Sequence, residues 1–97
     1  MTKPQNKGMS PELEVEYDTW LKRLGRTIAG IRKDRGLTQS EMARVTKFDM
    51  KYYQDVEYGR RPITTRTLFQ LCEGMGISLQ NLVNLTEKTI LQEESQS

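Results

Sequence analysis

The chain has 97 residues, is 35% hydrophobic and carries 15 basic against 13 acidic residues, for a formal net charge of +2. With a mean hydropathy of -0.72, this is the composition of one all-α domain whose small core takes one narrow apolar stripe from each helix. No run reaches the roughly 18 apolar residues of a membrane span, the start MTKPQNKGMS offers no apolar secretory signal, a single cysteine without histidine excludes the usual zinc patterns, and no glycine-rich phosphate loop or nucleophile with its base is present; a cytoplasmic protein with no membrane association, metal, cofactor or catalytic site is expected.

Taken in chain order, residues 1–10 and 93–97 read as polar, disordered tails around a domain at 11–92. Ser10-Pro11-Glu12 has the form of a helix start with proline in the first turn. Leu13, Tyr17, Trp20, Leu21, Leu24, Ile28 and Ile31 then follow one helical face. Glu12 to Tyr17 also alternates polar and apolar as a strand does, so residues 11–19 fit either element, with helix favoured. Gly36 stands where a left-handed residue would end the helix.

Leu37-Thr38-Gln39-Ser40-Glu41-Met42 is the clearest local signal: Thr38 and Glu41 can form a reciprocal capping box, and Leu37 can staple onto Met42. The staple spacing recurs at Phe48/Tyr53 around Asp49, at Ile63/Leu68 around Thr64 and at Ile77/Leu82 around Ser78. Helix starts this close leave connections of only a few residues, which is the pattern of a compact all-α bundle. Gly59 and Gly76 fit just past helix ends, and Pro62 stops any helix from crossing its turn.

Charge is segregated along the chain. Lys22 to Arg66 holds twelve basic and five acidic residues, whereas both flanks are net acidic. A basic middle of this kind points to a phosphate-facing surface.

The short helices opened by Thr38 and Asp49, joined through Thr46-Lys47-Phe48, have helix-turn-helix spacing. Residues 24–83 resemble the Cro/C1-type (XRE-family) helix-turn-helix domain of bacterial and phage regulators. The resemblance rests on Ile31-Arg32-Lys33, Gly36-Leu37-Thr38-Gln39, Ala43, Val56-Glu57 with Gly59, and Gly76-Ile77-Ser78. Two positions depart from the family pattern: Lys47 stands where glycine is usual, and Thr46 where an apolar residue is. A non-glycine residue at positive φ there costs energy.

The resemblance implies a five-helix, lambda-repressor-like bundle that binds double-stranded DNA and regulates transcription as a repressor-like protein of the bacterial nucleoid. It implies that helix 50–58 enters the major groove. Helical spacing sends Tyr53 and Val56 inward and leaves Met50, Lys51, Gln54 and Asp55 outside. Lys51 suits guanine, Gln54 adenine, Met50 a thymine methyl and Asp55 the cytosine amino group. Gln39 at the start of the second helix, Lys47, Tyr52, Arg60, Arg61 and Arg66 are the expected phosphate contacts, with Tyr52 equally suited to the core edge. Asp49 fits a cap better than a reader. Glu57 is expected to be structural, paired with an arginine of the first helix such as Arg32, and Cys72 to be a small buried residue.

Palindromic recognition requires a homodimer. The candidate surfaces are Leu79, Leu82, Val83, Leu85 and Ile90 at the end of the chain, or Leu13, Val15, Tyr17 and Trp20 at its front. The alternative function is a helix-turn-helix used to bind a protein partner, such as an antitoxin or a phage accessory regulator. Its support is the acidity of Asp55 and Glu57 beside the expected DNA face.

Overall fold

The computed structural model describes residues 8–91. Among them are five α-helices: α1 (Pro11–Asp34), α2 (Gln39–Thr46), α3 (Met50–Glu57), α4 (Thr65–Met75) and α5 (Leu79–Lys88). Residues 1–7 and 92–97, most of the expected tails, lie outside the described residues. Ser10, at the boundary between the expected tail and the domain, is the cap of α1, as the Ser10-Pro11-Glu12 start predicts.

Each helix begins where a side-chain oxygen can take an orphan backbone amide. Ser10, Thr38, Asp49, Thr64 and Ser78 accept from Leu13, Glu41, Tyr52, Thr67 and Asn81 respectively, each at 3.0 to 3.1 Å. The Thr38 box is reciprocal, since Glu41 Oε1 accepts from the Thr38 amide at 2.8 Å. The cap at Ser10 and Pro11 in the first turn resolve residues 11–19 as helix. The alternation of Glu12 to Tyr17 leaves Leu13 and Val15 exposed on that helix. The expected helix 50–58 closes one residue earlier, with Tyr58 as its C-terminal cap and Gly59 beyond it at φ +66°.

The core draws on every helix. Leu24 and Ile28 of α1, Met42 and Ala43 of α2, Tyr53 and Val56 of α3, Leu71, Cys72 and Met75 of α4, and Leu82 of α5 form one buried cluster. Leu37, Phe48, Ile63, Leu68 and Ile77 close over it near the ends of the helices, and Trp20 from within α1. α1 packs on α3 and α5, α2 on α3 and α4, and α4 on α5. Burial raises the pKa of the Cys72 thiol, which fits a packing role. Leu82, expected at a dimer surface, is instead fully buried. With Thr86 four residues on, it forms the buried face of α5, while Leu85 and Ile90 lie on the outside.

Backbones come close at α1 and α3. A Cβ on Gly25 would lie 2.1 Å from the Glu57 carbonyl oxygen, so only glycine permits this crossing. It brings the end of α3 against the middle of α1 and thereby fixes the angle at which α3 is displayed. Among the described residues, no helix is long and apolar enough to cross a membrane.

Candidate nucleic-acid interface

The turn between α2 and α3 carries both departures from the family pattern. Lys47 is left-handed, at φ 64° and ψ 34°. Two features hold it there: the Phe48 amide donates to the Ala43 carbonyl at 2.9 Å, and Gln70 Nε2 donates to the carbonyls of Thr46 and Lys47 at 3.0 and 3.1 Å. Thr46 occupies an apolar position without an orphaned hydroxyl, because its Oγ1 donates back to the Met42 carbonyl at 2.7 Å. Gln70 is a residue that sequence reasoning missed. Nothing local marks it, since its partners lie 23 and 24 residues earlier.

Glu57 is buried against its expected partner. Arg32 Nε and Nη2 donate to its two oxygens at 2.8 and 3.1 Å, Gln39 Nε2 donates at 2.9 Å, and the Tyr53 hydroxyl donates from the core side. Burial pushes the Glu57 carboxyl up, but the bonds from Arg32, Tyr53 and Gln39 outweigh it and hold the pKa below the ordinary 4.5. The same pair raises the pKa of Arg32 through its hydrogen bond to Glu57. Tyr53 is raised as well, first by burial and then by the neighbouring carboxylate. Arg32 Nη1 also donates to the Leu37 carbonyl at 3.0 Å, tying α1 to the entrance of α2.

Asp55 corrects the expected outward set. Its carboxylate is not presented to solvent: the side chain is 9% exposed and faces three cations. Lys51 Nζ lies 3.1 Å away, Arg61 Nη2 3.1 Å and Arg60 Nη1 3.7 Å. The hydrogen bond from Lys51, followed by that from Arg61, holds its pKa below the ordinary carboxylate value. The loop after α3 folds back across this face, so that a position which helical spacing places outside is covered. Asp55 therefore positions Lys51, Arg60 and Arg61, and its oxygens are not free to accept from a base.

The remaining candidates divide by exposure. Met50 and Lys51 are exposed on α3. Half-buried Gln54 donates through Nε2 to Gln39 Oε1 at 3.1 Å. Two side chains expected at DNA, on successive helices, thus orient one another, and Gln39 also donates to the Tyr58 hydroxyl at 3.3 Å. Tyr52 is half-buried, its ring stacked on Phe48 at 5.1 Å and its hydroxyl 2.8 Å from Thr67 Oγ1. Arg61 lies over the Tyr52 ring at 4.5 Å and Arg60 over the Tyr58 ring at 4.6 Å. These contacts pre-order both guanidinium groups while much of each stays in water. Arg66 and Lys47 are exposed. Tyr58 is not among the residues expected at the interface; its place just past α3, beside Gly59, is the only sequence signal that points to it.

A short helix with exposed polar side chains, laid across a second and flanked by ordered arginines, defines a helix-turn-helix protein of DNA-binding type. The family model described as Helix-turn-helix matches residues 28–82, and the chain belongs to that family, in its Cro/C1 (XRE) branch: it is a DNA-binding transcriptional regulator and not an enzyme. A protein of Sinorhizobium fredii, the HTH-type transcriptional regulator y4dJ, is 37% identical over 68 residues, covering 70% of this chain and 88% of that relative. The ImmF control region 10 kDa protein of Bacillus phage phi105 is 33% identical over 72 residues, or 74% of this chain and 79% of the phage protein. Among solved structures, the restriction-modification controller protein C.Esp1396I matches with a TM-score of 0.66 at 26% identity, over 75% of this chain and 94% of its own.

Proposed function

We propose that this regulator reads specific duplex DNA with α3 in the major groove, as a homodimer and in a repressor-like role. Met50, Lys51 and Gln54 are the base-reading set, and Gln39, Lys47, Tyr52, Arg60, Arg61 and Arg66 contact the flanking phosphates. The observation that carries this reading is the sorting of charge around α3. Both acids are neutralised by internal partners, Glu57 by Arg32 and Asp55 by Lys51 and Arg61, so the surface left toward a groove is polar and cationic. The same sorting removes the support for a protein-binding surface built on those acids.

The phage relative named for a control region and the relative named as a transcriptional regulator support the repressor-like role. A place in the bacterial cytoplasm, at the nucleoid, follows from DNA as the ligand. For the dimer, Leu85 and Ile90 are exposed on and just after α5, next to half-buried Leu79 and Val83. These four form the proposed interface, and Leu82 is excluded from it by burial. The domain at 11–92, capped by Ser10, is the unit that dimerises.

The arginine pair gives the most economical test. Arg60→Ala with Arg61→Ala should lower affinity for a selected duplex and make its salt dependence shallower by up to about 0.9 for each phosphate no longer neutralised. Unchanged affinity and slope would remove the proposed footprint.

A further inference from the structure

The cationic surface does not stop at the helix-turn-helix. On α1, Lys22, Arg26, Ala29 and Lys33 recur at the spacing of a single helical face. At about 1.5 Å rise per residue, Lys22 to Lys33 spans roughly 16 Å. All three basic residues line one open cleft of about 1120 Å³, which is also lined by Gln39 of α2, Met50 at the start of α3 and Tyr58 just past its end. The side chains that would approach a groove therefore share a concavity with this stripe. The acid that lines the cleft does not neutralise the stripe: Glu57 is occupied by Arg32, Gln39 and Tyr53.

Lys22, Arg26 and Lys33 are exposed, and among the described residues none of the three takes part in an ion pair. Lys22 and Arg26 stand four apart, a like-charge pair that weakens an isolated helix. The acids of α1, at Glu12, Glu14, Glu16 and Asp18, all precede the stripe, and Asp34 follows it. The helix-level cost of the Lys22/Arg26 pair, on the wall of a cleft shared with the groove-facing helix, is offset when a polyanion lies along it.

We infer that Lys22, Arg26 and Lys33 form a second phosphate track, following the backbone of one DNA strand beside the groove that α3 enters. This rests on the DNA-reading face proposed above and extends it to a helix outside the motif. The track supplies affinity and salt dependence but no base discrimination, because it meets only phosphate.

The test uses the full chain and a duplex selected by the wild-type protein. Lys22→Gln with Arg26→Gln and Lys33→Gln should lower affinity more than tenfold at about 0.1 M salt and make the slope of log K against log salt shallower by about 2 to 3. The ratio of selected to scrambled duplex should stay the same, and the thermal unfolding midpoint should not fall. An unchanged slope, or an altered preference among duplexes, would overturn the track. Running Arg60→Ala with Arg61→Ala in parallel separates the two claims. If that pair flattens the slope while the α1 variant does not, only the track fails; if neither does, the α3 footprint fails with it.

Discussion

At Glu57, donors from α1, α2 and α3 converge on one carboxylate through Arg32, Gln39 and Tyr53. Removing one side of such a pair leaves the other buried and uncompensated. Glu57→Gln should therefore cost about 3 kcal/mol at neutral pH, measured by urea unfolding. The pH dependence has a definite sign. Because the folded carboxyl sits below 4.5, its contribution is complete above that pH and is lost as the pH falls through the folded value. The gap between wild type and Glu57→Gln should thus narrow on acidification below pH 4.5; a constant gap would contradict the pairing. Lys47 poses the opposite trade. Its left-handed backbone costs roughly 1 to 2 kcal/mol, part of which glycine would recover after its own entropy loss, so Lys47→Gly should stabilise by about 0.5 to 1 kcal/mol while weakening DNA binding. That Lys47 departs from the pattern was legible in the sequence, and the energetic consequence with it. The burial of Asp55 was not, because it depends on Arg60 and Arg61 returning from a loop beyond the helix.

Two glycines within α1 look alike in the sequence, and both should weaken a helix relative to alanine. Packing separates them. Gly25 meets the Glu57 and Val56 backbones at distances no Cβ can share, whereas Gly30 has nothing within 4 Å. Gly25→Ala should destabilise by about 3 kcal/mol, by prising α3 from α1. Gly30→Ala should stabilise by about 0.5 to 1 kcal/mol. Thermal melts of the two variants check both, and equal effects would contradict the close crossing. The helix starts were readable because a cap and its staple lie within five residues of one another. The helix crossings were not, because Gly25 meets α3 some thirty residues later and Gly74 meets Thr46 from the far side of the motif.

For the whole molecule, the all-α bundle and its helix-turn-helix follow from periodicity and caps, while the choice of surface needs three dimensions. The Ile77/Leu82 staple marked Leu82 for packing, but only the fold shows that it fills the core while Leu85 and Ile90 stay outside. Leu85→Glu with Ile90→Glu should leave a folded monomer by sedimentation and weaken binding to a two-half-site duplex far more than to a single half-site. The more general claim is that α3 reads sequence, and its most direct measurement is the selection of bound duplexes from a random pool by wild type and Gln54→Ala, at two salt concentrations. Wild type should enrich a defined motif, with affinity falling steeply as salt rises, and Gln54→Ala should lose discrimination at one base pair of it, by about 1 to 3 kcal/mol. A pool that stays random, or a motif identical for both proteins, would contradict that claim.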